Sequence, residues 1–148
     1  MAASDQIRRE IFINASPEHV FPFLVDPKQM TEWLAAASAE SAAACGGIYR
    51  VVFDESHTAR GEFVEVVPNS KVVFTWGWEG NDGPLEPGSS RVEITLEPRN
   101  GGTFLSLVHN NLPEPAVEGH NAGWVFRLGR LEAVAEGRTP VVQDPMQA

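Results

Sequence analysis

A chain of 148 residues that is 43% hydrophobic is sized for one domain with its own core. Its 20 acidic and 11 basic side chains leave a formal charge of -9, so no basic nucleic-acid footprint is present and an anionic membrane would repel it. The lone cysteine, Cys45, excludes an internal disulfide; with no apolar run long enough to span a bilayer and a polar start without a signal-peptide core, the expectation is a cytoplasmic protein.

Gln6 to Asn14 is rich in Ile and Phe and reads as a strand. Ser16-Pro17-Glu18 follows as a helix start, with Ser16 as cap and Pro17 at the first helical position. Val20, Phe21, Phe23 and Leu24 give that helix an apolar face, and Pro22 should kink it or cut it short. Asp26-Pro27 opens a second short helix running to about Trp33. Ala35 to Ala43 is a weak strand candidate, because alanine favours helix. Ile48–Asp54 and Thr58–Val67 are better strands, and Pro68-Asn69-Ser70 turns the second into Lys71–Glu79. Gly80 to Ser90 is a long loop. Arg91–Glu97 and Thr103–Asn111 form a hairpin across Pro98–Gly102. The period then changes: Val117, Trp124, Leu128, Leu131 and Ala135 recur at helical spacing, predicting one helix over about 116–136, with a short tail over 138–148. Strands in succession followed by one long helix make an α+β chain whose antiparallel sheet has one face covered. We read 1–148 as a single domain with its core at about 6–137.

Alternation assigns the strand faces. Val72, Phe74, Trp76 and Trp78 share one face, as do Val92, Ile94 and Leu96, and Tyr49, Val51 and Phe53. Leu105, Leu107 and His109 carry the larger apolar groups of their strand, which places His109 inside. So many inward rings either fill the core completely or line a sheet curled around a space.

His109 reads either as a core histidine bonded to backbone or as a polar anchor or general base. His120 lies one turn before Trp124 on the same stripe and carries the same two readings. The histidines (His19, His57, His109, His120) and Cys45 lack metal-site spacing, so no metal is expected, and Cys45 has no neighbouring base to make it a nucleophile. Gly46-Gly47 lacks the partners of a phosphate or dinucleotide loop, so no cofactor is expected.

Four stretches taken together resemble a known family. They are Ile11–Phe21; Glu62–Pro68 with Val73–Trp76; Val92–Pro98 with Gly102–His109; and Leu112-Pro113, His120, Gly123-Trp124 and Leu128–Leu131. Up to about Gly137 the chain resembles the homologues of the activator of the heat-shock-protein-90 ATPase, within the START or birch-pollen-allergen-like (SRPBCC) superfamily. The resemblance implies a helix-grip fold: a curved antiparallel sheet of six or seven strands wrapped around the long C-terminal helix, two short helices after the first strand, and a cavity between. Trp33, Tyr49, Phe53, Phe63, Trp76, Leu107, His109, His120, Trp124 and Leu128 are the residues expected to line it; Trp33 and Phe63 rest mainly on the resemblance. Pro22 and the small, alanine-rich Ala35–Ala44 stretch depart from the family pattern, and the latter should widen the cavity mouth or thin the packing.

Superfamily members bind lipids, sterols, polyketides and hormones, and some are cyclases, so fold alone does not decide the chemistry. The leading reading is non-catalytic binding of a small hydrophobic or aromatic ligand. A cyclase- or hydrolase-like enzyme using a cavity histidine is the second, and a chaperone-interacting protein, which the family name suggests, is the third. No nucleic acid and no membrane insertion are expected, and the sequence suits a monomer or a dimer.

Overall fold

The computed structural model describes residues 6–80 and 85–140. Strand β1 (Ile7–Ile13) leads into helices α1 (Pro17–Val25) and α2 (Pro27–Leu34). Six strands follow: β2 (Ser38–Ser41), β3 (Ile48–Asp54), β4 (His57–Val67), β5 (Lys71–Trp76), β6 (Ser90–Arg99) and β7 (Gly102–Asn110). Helix α3 (Glu114–Ala135) comes last. The seven strands form one curved antiparallel sheet in the order β1-β7-β6-β5-β4-β3-β2. This is the helix-grip architecture expected from the sequence. The expected tail lies mostly outside the described residues, as does part of the long loop.

Local chemistry explains the helix boundaries. Ser16 Oγ accepts from the His19 amide at 3.2 Å, and Pro17 occupies the first turn, where its missing N–H costs nothing. The chain stays helical through Pro22 and ends at Val25, so Pro22 does not cut the helix at its own position. In so short a helix Pro22 forfeits a single intrahelical bond, and its carbonyl still accepts from the Asp26 amide at 2.8 Å. Asp26 caps α2 through the Lys28 amide, and the Trp33 indole donates to the Phe23 carbonyl at 2.7 Å, tying the two helices together. Helix α3 starts slightly earlier than the apolar stripe indicated, because Glu114-Pro115 suits a first turn.

The sheet refines the strand assignments. The alanine-rich stretch yields a four-residue edge strand, with Ser38–Ser41 paired to β3; pairing overrides weak propensity there. Strand β5 stops at Trp76, sooner than alternation suggested, and Trp78 instead makes an isolated bridge to Ala59. The β6–β7 turn is tighter than expected. Pro98 and Arg99 still pair with Thr103 and Gly102, leaving a two-residue loop of Asn100 and Gly101 at φ 54° and 78°. Positive φ at both positions matches the twist of the strands, and Asn-Gly tolerates it best.

The core lies between the inner face of the sheet and the helices. Val72, Phe74, Trp76, Val92, Ile94, Leu96, Tyr49, Val51, Leu105 and Leu107 are all buried, as strand parity requires. Trp124, Leu128, Leu131 and Ala135 of α3 pack against them. Burying each large side chain contributes about 1.5–3 kcal/mol before entropy is counted.

Candidate functional site

The structure brings the ten expected residues into the layer between sheet and helices. Trp33, Tyr49, Phe63, Trp76, Leu107, His109, Trp124 and Leu128 are buried, and Phe53 and His120 are half-buried. The rings touch in an unbroken series. Trp124 lies between Trp33 at 6.4 Å and Trp76 at 5.4 Å, centroid to centroid. Trp76 in turn meets Tyr49 at 6.2 Å, Phe53 at 6.2 Å and Trp78 at 5.6 Å.

His109, fully buried, is bonded to side chains rather than backbone. The Trp124 indole N–H donates to His109 Nδ1 at 3.0 Å. An indole can only donate, so Nδ1 carries the lone pair and the neutral ring holds its proton on Nε2. Nε2 therefore donates to Ser90 Oγ at 2.9 Å, and Ser90 passes its own proton to the Trp76 carbonyl at 2.8 Å. His120 is set the opposite way. The Trp76 indole donates to its Nε2 at 3.2 Å, so its proton sits on Nδ1 and is given to the Ala116 carbonyl at 2.9 Å. The two imidazoles meet edge to face at 5.4 Å. Burial, and then the neighbouring His120, push the His109 pKa down to about 3. Burial also lowers that of His120. Both rings are neutral near pH 7, with every ring nitrogen engaged.

Tyr49 anchors the opposite end. Its register partner on β4 is Gly61. With no side chain there, the Tyr49 ring lies across β4 and stacks on Phe74 of β5, 3.9 Å away and nearly parallel at 11°. A Cβ on Gly61 would come within 1.9 Å of the Thr75 carbonyl oxygen. Phe63 closes the third side edge-on at 5.5 Å. Burial raises the phenol pKa, with Arg127 opposing the rise. The Arg127 guanidinium stands 4.7 Å from the Phe53 ring, and its Nε donates to the Leu34 carbonyl at 3.0 Å.

Sequence reasoning missed Ser90, which links His109 to the β5 backbone. Its signal was present, since Ser90 shares the parity of Val92, Ile94 and Leu96; the strand begins one residue earlier than its apolar run. Trp78 was assigned inward but not to the site, and it meets His120 at 5.7 Å. His57 pairs with Asp54 in an exposed turn, and His19 packs edge-on against Phe23, so neither joins the site. Among the described residues no three His, Cys, Asp or Glu side chains are grouped to hold a metal. None of the expected residues lines the cleft of about 460 Å³ on the sheet's outer face, which Ile48, Arg60, Glu62 and Thr75 help to form. No helix among the described residues is long and apolar enough to cross a membrane.

Comparison with known proteins agrees with this geometry. The family model for the Activator of Hsp90 ATPase homolog 1-like protein matches residues 14–136. The solution structure of an AHSA1-like protein from Rhizobium etli is 41% identical, over 95% of this chain and 86% of that one, with a TM-score of 0.72. Protein CV1439 from Chromobacterium violaceum is 29% identical, over 89% of this chain and 97% of that one, at a TM-score of 0.76. The Aha1 dimer from Colwellia psychrerythraea, 23% identical over 88% of this chain and 96% of that one, shares the fold at a TM-score of 0.75. No curated protein matches the sequence.

Proposed function

The chain belongs to the Activator of Hsp90 ATPase homolog 1-like family, and on that premise we propose that it is a non-catalytic binding protein for a small apolar or aromatic molecule held between the inner face of the sheet and α3. The observation that carries this reading is the composition of the buried layer. Aromatic rings from α2, β3, β4, β5 and α3 converge on two imidazoles that are neutral and already hydrogen-bonded. Such a layer supplies apolar contact and stacking with few polar groups, which is what a small-molecule pocket requires.

The same observation weighs against acid–base catalysis. A general base needs an available lone pair and a pKa near the working pH. The His109 lone pair is held by the Trp124 indole, and burial keeps that ring from protonating. The His120 lone pair is held by the Trp76 indole. On this reading the histidines brace the tryptophans, and a ligand enters where half-buried Phe53, Trp78 and His120 bring the layer to the surface.

Titration with N-phenylnaphthylamine, followed by probe emission and by tryptophan quenching, tests the proposal. Three of the four tryptophans, Trp33, Trp76 and Trp124, are buried in the layer, so saturable binding at one probe per chain should quench most of the intrinsic emission. Absence of saturable binding, or binding that leaves the tryptophan emission unchanged, would sink it.

A further inference from the structure

We propose that the cleft on the outer face of the sheet is a second binding site, one that takes a short zwitterion of the dipeptide kind, with its ammonium against Glu62 and its carboxylate against Arg60 and the Thr75 hydroxyl. This site is separate from the aromatic layer, and the two readings stand or fall independently.

The cleft exists because the β4–β5 ladder opens beside Gly61. The Arg60 amide donates to the Gly77 carbonyl at 2.9 Å, beyond the end of β5. The Glu62 amide donates to Thr75 Oγ1 at 2.9 Å instead of to main chain, and strand pairing begins only at Phe63 and Phe74. Above this gap the rims are bare. Gly46 and Gly88 take φ values of 86° and 79°, which favour glycine, so no side chain projects from them to fill the space. The resulting volume of about 460 Å³ is in the range of small-molecule sites.

The polar groups in the cleft have capacity to spare. Among the described residues the Glu62 carboxylate has no cationic partner. Arg60 Nη1 reaches Glu79 only at 3.6 Å, whereas Arg50 Nε holds that same carboxylate at 2.6 Å. The Thr75 hydroxyl is an acceptor in its bond with the Glu62 amide and still has its own hydrogen to give. A carboxylate, a guanidinium and a hydroxyl donor therefore face one space. A ligand carrying a cation at one end and an anion at the other would engage all three.

Spacing sets the length of that ligand. Arg60 and Glu62 stand at i and i+2 on one strand, so they share a face and lie about 7 Å apart along it. An extended dipeptide spans at most about 7 Å between its charged ends. Ile48, the register partner of Glu62, and Pro87 supply an apolar surface for one of its side chains. A zwitterion also carries no net charge, so a chain of formal charge -9 does not repel it as it would a simple anion.

The test titrates the full, nitrogen-15-labelled chain with glycyl-leucine and follows amide shifts by NMR. Saturable shifts are expected at Ile48, Gly61, Glu62 and Gly88. N-acetyl-glycyl-leucine, which lacks the ammonium, and glycyl-leucinamide, which lacks the carboxylate, should each bind at least about tenfold more weakly, the loss of one charged contact. Glu62→Gln should weaken glycyl-leucine by about tenfold and leave the acetylated analogue unchanged; Arg60→Gln should do the same with respect to the amide. Both variants should keep the wild-type thermal midpoint and its binding of N-phenylnaphthylamine, since both side chains are exposed. Absence of saturable shifts at the cleft would overturn the proposal. So would equal affinity of wild-type protein for all three peptides, a comparison that needs no variant. Variants that weaken the parent and its blocked analogue alike would show that Arg60 and Glu62 do not contact the charged ends, which also overturns it.

Discussion

Around His109 each polar atom is matched: two indoles, two imidazoles, one serine hydroxyl and two backbone carbonyls form a closed set. Around Tyr49 the rings pack as tightly but meet ring on ring, and the hydroxyl of Ser41, its register partner on β2, makes no bond among the described residues. The two regions lie in one layer and share Trp76 as a neighbour. Their difference is instructive about buried polarity. A fully satisfied network fixes ring orientations and resists substitution, because removing one member strands another. A buried polar group left open retains capacity to recognise something else.

The comparison can be broken most forcefully at Trp124. Trp124→Ala removes a ring touching Trp33, Trp76 and His109 and leaves His109 Nδ1 without its donor. The expected loss of stability in urea denaturation is about 3–5 kcal/mol. A loss nearer 1–2 kcal/mol would mean that the space beside Trp124 is already partly open, since unfilled space forfeits dispersion contacts.

His109→Leu should cost about 1–3 kcal/mol, because it strands the Trp124 indole and removes the partner of Ser90. A neutral or stabilising result would mean that the network is not holding the fold. At the other end, Gly61→Ala should cost a similar amount, about 1–3 kcal/mol, since its Cβ would press on the Thr75 carbonyl and tilt the Tyr49 ring off Phe74. Near-neutral stability for that variant would show that β4 and β5 separate easily.

The histidines also predict a pH dependence. His109 has an ordinary pKa of 6.5, and its folded value is about 3. Between those values the unfolded chain binds a proton that the folded chain does not. Stability contributed by the neutral ring is therefore complete above about 6.5 and lost as pH falls, by at most about 1.4 kcal/mol per pH unit for one linked proton. His120 is shifted in the same direction. Denaturation midpoints should fall from pH 7 to pH 5, before most carboxylates titrate, and His109→Leu should flatten that slope. An unchanged slope in the variant would assign the dependence elsewhere. The smallest effect is expected on the outer face, where Arg50 grips Glu79 through Nε at 2.6 Å and Nη2 at 3.1 Å. Glu79→Gln should cost no more than about 1 kcal/mol and less in high salt, because partly exposed pairs are screened.

Much of the fold was legible before the structure, for a local reason. The side-chain parity of β5, β6 and β7 put Phe74, Trp76, Ile94, Leu107 and His109 on the buried face, and that parity needs no knowledge of the partner strand. The change to helical spacing marked α3, and the Pro98–Gly102 stretch marked the β6–β7 turn, though not its two-residue length. The order of four weak motifs identified the family.

What the sequence by itself determined, then, is which residues face inward, where the long helix lies and to which family the chain belongs, since each follows from local periodicity or motif order. The tertiary structure alone decided the pairings among those residues. That Ser90 completes the His109 network, that each histidine holds a particular tautomer, and that Tyr49 crosses the bare Gly61 to reach Phe74 all depend on strand register and on the rotation of α3 against the sheet. Register and helix rotation are settled by the simultaneous packing of residues distant in sequence, such as His109 and Trp124 at a separation of 15 or Trp76 and His120 at a separation of 44, and no local pattern encodes them.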